Sequence, residues 1–276
     1  MKQETEVSRE IYPHAPLALV AFELRTSHVP EFDSRKGAIA LYDQLRQELP
    51  IIPPARQPVF ELSTAGAGQQ SVTPSTPLEM LDRRRVRSVV VSSNRLVVQT
   101  TEYVQFEAFR DFVRQVLEAA SNVAAIEAIE RVGLRYIDEI RIDGVEKPAE
   151  WRPYIDAGLL APKRTALGLE ASAFNTLVEF TLGEEQGVNM RVGAAKGRVI
   201  DPTGPLRVKS DSDGPFFLID IDSFWAPPVD ELPPFSADVV VDICSRLHEP
   251  SRALFESALT DRAREIFRGD ETPNGR

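Results

Sequence analysis

The chain has 276 residues, 42% of them hydrophobic, and a formal charge of -10 from 42 acidic and 32 basic side chains. That length buries one substantial core or two smaller ones, and the acidic balance argues against an overall field that steers the protein onto a phosphate backbone, so nucleic acid is not an expected partner. A single cysteine, Cys244, excludes an internal disulfide. The polar start MKQETEVSRE is unlike a signal peptide, no run nears the roughly 20 apolar residues that span a bilayer, and a cytoplasmic protein is expected.

In chain order, Tyr12-Pro13-His14-Ala15-Pro16 leads into LALVAFELR, Leu17 to Arg25, which reads as a strand. A helix is expected from about Lys36 to Leu49, with Ser34 as its cap, Ile39, Tyr42, Leu45 and Leu49 as its apolar stripe, and Pro50 ending it. After the proline-rich stretch 50–58, Val59-Phe60-Glu61-Leu62 reads as a short strand and 63–79 as an irregular excursion. Val86 to Ser92 and Leu96 to Thr101 form an antiparallel hairpin about Ser93-Asn94. Phe106, Phe109, Val113, Val116, Leu117 and Ala120 then recur at helical spacing.

The stretch Glu130 to Ile142, ERVGLRYIDEIRI, is the element around which the chain is organised. Val132, Leu134 and Tyr136 alternate with Arg131, Gly133 and Arg135, as in a strand with one buried face. The phase is expected to slip near Asp138, with Ile137, Ile140 and Ile142 leaving the first face. Gly133 and Tyr136 serve packing: the glycine leaves space on one side, and the tyrosine lies beside Val132 and Leu134 and needs a partner for its hydroxyl.

The second half repeats the order of elements. Ala173 to Leu182 and Val188 to Val192 read as strands, Val199-Ile200 and Phe216 to Asp222 add strand material, and helices are expected at about 236–247 and 250–267. The fold class is therefore α+β, two similar units of antiparallel β-meander covered by helices, with an N-terminal unit at 10–145 and a closely packed C-terminal unit at 146–270. One large curved sheet with helices filling its concavity is the alternative.

No recognisable catalytic constellation stands out. Asp211-x-Asp213-Gly214 has part of a calcium loop but lacks the remaining alternating ligands, and reads better as a hairpin turn. Asp220 and Asp222 share one face of a strand and, with Glu179, could serve metal or acid–base work; the simpler account puts them on the wet face while Phe217, Ile219 and Ile221 face the core. His14, His28 and His248 are not at ligand spacing, and His248 is expected to end a helix. Cys244 reads as a small core hydrophobe. The binding candidates are Arg131 and Arg135, which flank Gly133 and could grip an anion or pair with acids; Arg84 and Arg85 in the basic run 83–87; and Trp225, as a contact anchor or a loop packed on the core. Neither a dinucleotide fingerprint nor a P-loop is present, and no cofactor or metal is expected.

Three stretches carry a resemblance: Tyr12-Pro13-x-Ala15-Pro16 leading to Arg25, Arg131-Val132-Gly133-Leu134-Arg135-Tyr136-Ile137-Asp138, and Leu247-His248 with Phe255-Glu256 and Thr260-Asp261. In these the chain resembles a sporadically distributed bacterial family of about 250–270 residues, in which Asn often follows the Tyr-Ile pair where Asp138 stands here. The resemblance implies a shared fold and no established reaction.

The function expected from the sequence is a non-enzymatic binding or accessory protein in a bacterial regulatory, immunity-like or defence-related system, with a protein partner or self-association. The alternatives are a metal-dependent hydrolase or phosphate-processing enzyme using Asp220, Asp222 and Glu179, and a structural self-assembly module.

Overall fold

A computed structural model describes residues 12–54, 77–161, 169–183, 185–209 and 212–270. The strand expected at 59–62, most of the 63–79 excursion and Asp211 lie outside the described residues. The elements in order are β1 (Leu17–Thr26), α1 (Pro30–Asp33), α2 (Arg35–Leu45), β2 (Leu78–Leu81), β3 (Arg87–Ser92), β4 (Arg95–Thr100), α3 (Phe106–Val123) and β5 (Ile129–Ile140). Two 3-10 turns follow (Pro148–Trp151 and Ala157–Leu159), then β6 (Phe174–Thr181), β7 (Gln186–Lys196), β8 (Pro215–Trp225), α4 (Ala237–Ala258) and α5 (Asp261–Arg268).

All eight strands join one antiparallel sheet in the order β2-β3-β4-β1-β5-β8-β7-β6. The fold is thus α+β, an antiparallel sheet covered by helices. β5 lies mid-sheet, with Tyr136 opposite Val20 of β1 on one side and Ile221 of β8 on the other. No helix of the described residues is long and apolar enough to cross a membrane.

The phase slip expected near Asp138 does not occur. β5 keeps an unbroken register with β8 from Val132 opposite Trp225 to Ile140 opposite Phe217, so Val132, Leu134, Tyr136, Asp138 and Ile140 all share the helix-covered side. The irregularity sits in β1, where the register against β5 shifts between Leu17 and Leu19. An acid inside an apolar alternation mimicked a change of phase.

The apolar side of the sheet carries two clusters. One gathers Val20, Phe22, Leu134 and Tyr136 under α2, α3 and the first half of α4, where Val240, Cys244 and Leu247 are buried. The other gathers Ile140, Met190, Phe217 and Ile219 with Trp151, Ala258 and Phe267. At about 25 cal/mol per Å² of apolar surface removed from water, these clusters supply the main drive to cover this side.

Local chemistry explains most boundaries. The Ser34 hydroxyl accepts from the Gly37 amide and caps α2 as expected. Gly37 is required there, because a Cβ would lie 2.0 Å from the Glu31 carbonyl oxygen. The helix ends at Leu45 rather than Leu49, and Ile39, expected in the apolar stripe, is 51% exposed. The hairpin over β3 and β4 and the helix α3 form where their patterns place them, whereas Val199-Ile200 forms no strand.

α4 departs most from expectation. Pro250 stands inside it instead of separating two helices, and the break comes at Leu259-Thr260, where the Thr260 side chain accepts from the Ala263 amide and caps α5. A proline inside a helix removes one amide from the ladder and crowds the carbonyl four residues back, at a cost of about 3 kcal/mol. The packing of Leu247 and Ala258 into the two clusters holds the helix through that gap.

Candidate functional site

The sheet side away from the helices holds the arginines singled out in the sequence. Arg131 donates from Nη1 to Glu23 Oε1 at 3.0 Å and from Nη2 to Asp222 Oδ2 at 2.9 Å, and its guanidinium lies 5.0 Å from the centre of the Phe224 ring. Arg135 grips Asp220 with two bonds of 2.7 Å, from Nε and Nη2. Glu23 also pairs with Arg25 and Arg95. Burial alone would raise the Glu23 carboxyl, but Arg95, Arg25 and Arg131 outweigh it and hold its pKa below the ordinary value. Asp222 goes the other way, raised by burial against the opposing pull of Arg131 and Arg135.

This ladder uses the carboxylates that a metal would need. Asp220 and Asp222 lie on the side opposite Phe217, Ile219 and Ile221, as the simpler account expects, and both are engaged by arginine. Glu179 of β6 is aligned through Asn189 of β7 with Asp222, so it stands two strand spacings away, about 10 Å. Among the described residues, no three His, Cys, Asp or Glu side chains gather at metal-binding distance.

The other sequence candidates are dispersed. Arg84 makes a two-point pair with Glu102, at 2.6 and 2.8 Å, on the surface. Arg85 takes a left-handed turn conformation, φ 56°, and its carbonyl accepts from the Arg207 amide. Trp225 is buried at the end of β8, with Nε1 donating to Glu185 at 2.8 Å, and is not exposed as a contact anchor. Asp213 pairs with Arg198.

What the structure assembles lies on the helix-covered side. A cavity of about 450 Å³ opens between the start of α3 and the middle of α4, with Tyr136 and Asp138 of β5 and Leu17 of β1 among its lining. Tyr103 and Phe106 contribute from the α3 end, His248 and Arg252 from α4, and Tyr12 from the segment before β1. The cavity borders both apolar clusters: Tyr136 and Phe106 belong to one, Tyr12 to the other.

Its polar groups form a short chain. The Tyr136 hydroxyl and His248 Nδ1 are 2.8 Å apart, and Tyr103 lines the cavity beside them. The imidazole stacks flat on Phe106, ring centres 4.1 Å apart and planes within 5°, while the Tyr103 ring meets Tyr136 edge-on at 5.9 Å. The imidazole is thus held by Phe106 on one face and by the Tyr136 hydroxyl at its Nδ1 edge. Tyr12 donates to Glu256 Oε2 at 3.0 Å on the far wall.

Asp138 is different. It is 3% exposed, lines the cavity, and its carboxyl makes no hydrogen bond to a described residue. Burial, reinforced by the Asp220 charge against a weaker pull from Lys209, pushes its pKa up to about 8, so the carboxyl is mainly protonated at neutral pH. Burial likewise raises Tyr103 to about 12, Cys244 to about 12 and Tyr136 well above its usual value.

Sequence reasoning found Tyr136 and its need for a hydroxyl partner, but missed His248, Tyr103, Phe106 and Tyr12 as parts of one place. The usable signal was Asp138, a charged residue in the apolar stripe of β5. The chain matches no family model and no curated protein.

Proposed function

We propose that the chain is a non-enzymatic binding protein whose cavity receives an organic ammonium group, carried by a free amine or by a lysine side chain of a partner. The observation that carries this reading is Asp138, a buried carboxyl without a hydrogen-bond partner among the described residues, in a hollow lined by aromatic side chains. Glu107, Glu249 and Glu256 add acidic lining, of which Glu249 is paired with Arg252 and Glu256 with Arg264. An ammonium beside Asp138 favours the ionised carboxylate and offsets its desolvation, and neighbouring rings add cation–π attraction of about 0.5–2 kcal/mol.

Burial drives Tyr103 and Tyr136 toward their protonated forms, so they offer a ligand neutral rings and hydroxyls. A small-ligand sensor of this kind is compatible with an accessory role in a bacterial regulatory, immunity-like or defence-related system. The hydrolase alternative is less favoured because arginines occupy Asp220 and Asp222.

The strand order supports a duplicated plan within the single sheet. It reads as β2-β3-β4-β1 beside β5-β8-β7-β6, each half a first strand, a helical connection, a three-strand meander and a long helix. On this division β5 opens the second unit, and the cavity sits over the seam where β1 meets β5.

Calorimetric titration tests the reading with benzylamine, its neutral counterpart benzyl alcohol, and a lysine-containing tripeptide. Benzylamine or the tripeptide should bind at least tenfold more tightly than the alcohol, and Asp138→Asn should remove about tenfold to a hundredfold of that affinity, the range of a hydrogen bond to a charged group. Equal binding of amine and alcohol, or an unchanged affinity in the Asn variant, would overturn it.

A further inference from the structure

The two edges of the sheet are finished differently. β2 is four residues long, and its outer side is bridged by Ile51, which exchanges backbone hydrogen bonds with Leu81 at 3.1 and 2.8 Å. β6 is eight residues long, and no described residue pairs with its outer edge. It also carries little protection: the segment FNTLVEFT has no proline and no lysine, and its single charge is Glu179. Leu177 is 53% exposed and Phe180 37%. An open edge of this length and composition invites another strand.

The sequence of β6 says which strand fits. Read outward from Leu177, its neighbours match in kind on both sides: Thr176 and Val178 are β-branched, Asn175 and Glu179 are polar, and Phe174 and Phe180 are aromatic. A strand with that symmetry is complementary to itself when two copies run antiparallel about a two-fold axis. Leu177 then meets Leu177 of the second copy, Asn175 meets Glu179, Thr176 meets Val178, and Phe174 meets Phe180. Each is a favourable cross-strand pair, and the two carboxylates do not face each other. A slip that centres the axis on Glu179 would oppose two carboxylates.

The backbone agrees with that register. The Leu182 amide donates to the Gln186 carbonyl of the adjoining strand at 2.9 Å, so strand alternation turns the even-numbered residues of β6 toward β7. The odd-numbered residues, Asn175, Leu177 and Glu179, turn their amides and carbonyls to the open edge. Centring the axis on Leu177 pairs odd with odd, and three residue pairs exchange about six backbone hydrogen bonds. The aromatic pairs fall on the helix-covered side, where Phe174 already packs on Phe217 at 6.0 Å, extending that apolar cluster across the junction.

We propose that β6 is a homodimerisation edge, pairing antiparallel with β6 of a second copy about a two-fold axis at Leu177 and joining two eight-stranded sheets into one. The proposal does not depend on the ligand cavity, which lies over β1 and β5. A one-strand junction is small, so the dimer is expected to be concentration-dependent, forming over about 1–200 μM.

Light scattering or sedimentation equilibrium of the full chain across that range should show a monomer passing to a dimer. Leu177→Glu sets two carboxylates against each other with Glu179 beside them, and should shift association at least tenfold to higher concentration. Mixing Leu177→Glu with Leu177→Lys should restore a one-to-one dimer. As a check independent of affinity, Leu177→Cys supplies an accessible thiol in a chain whose single cysteine, Cys244, is buried. Opposed Cα atoms in such a hydrogen-bonded pair are about 5.5 Å apart, with Cβ atoms too widely set for an unstrained disulfide, so a short thiol-reactive bifunctional cross-linker should give a covalent dimer. A wild-type chain that stays monomeric throughout, a Leu177→Glu variant that dimerises like the wild type, complementary variants that do not associate, or a cysteine variant that does not cross-link would each overturn the proposal.

Discussion

The Tyr136 hydroxyl lies 2.8 Å from Nδ1 of His248, and this contact ties the middle strand of the sheet to the middle of α4. The tyrosine ring is 9% exposed beside Val132 and Leu134, and the imidazole is clamped against Phe106. Tyr136→Phe removes the hydroxyl but keeps the ring, and should cost about 0.5–1.5 kcal/mol. Tyr136→Ala also opens a cavity and should cost about 2–4 kcal/mol. Urea denaturation distinguishes the two: equal losses would mean that the ring contributes nothing by packing.

Asp138 makes stability depend on pH. Its folded pKa of about 8 stands above the ordinary value of 3.8, so the folded state holds a proton that the unfolded chain releases. Its contribution is therefore complete below about pH 4 and is lost as pH rises through about 8. Asp138→Asn should stabilise the protein by about 2–4 kcal/mol at pH 7.5 and by much less at pH 4.5. The difference between wild type and variant isolates this group from Asp222 and Glu23, which respond in opposite senses. A difference that does not change with pH would show that Asp138 ionises like a surface carboxyl.

Arg135 is half exposed, whereas its partner Asp220 is buried. Arg135→Ala leaves that carboxylate with reduced compensation, and should cost about 1–2 kcal/mol, less than Tyr136→Ala because solvent reaches the guanidinium side. Salt should weaken the wild type more than the variant. Thermal unfolding at low and high ionic strength gives the comparison.

Gly133 and Gly193 face the same ion-paired side but tolerate a methyl group differently. A Cβ on Gly133 would lie 2.5 Å from Nη1 of Arg131, the far end of a flexible side chain, while one on Gly193 would lie 2.4 Å from the carbonyl oxygen of Phe174. Gly193→Ala should cost about 1–3 kcal/mol, and Gly133→Ala less than half of that, because a side chain swings aside more easily than a paired backbone. Melting temperatures in the reverse order would contradict this.

What was legible in the chain is what repeats at short range. The alternation in β1, β5 and β8, the stripe of α3, the hairpin of β3 and β4 and the Ser34 cap each depend on residues a few positions apart, and their physics is present in the unfolded sequence. The same logic placed Asp220 and Asp222 opposite Phe217, Ile219 and Ile221. Where a long-range contact competes with a local signal, the tertiary structure decides. Pro250 reads as a helix end, but its cost of about 3 kcal/mol is offset by the burial of Val240, Ile243, Cys244, Leu247 and Ala258 along the same helix. Asp138 reads as a break in phase because nothing near it in sequence explains an acid on a core face. His248 reads as a helix terminus because its partners, Tyr136 and Phe106, are more than a hundred residues away. The sequence alone determined which side of each strand is apolar; only antiparallel pairing of β5 between β1 and β8, and the packing of α4 on β5 and β8, brought Asp138, His248 and their aromatic neighbours to a single cavity.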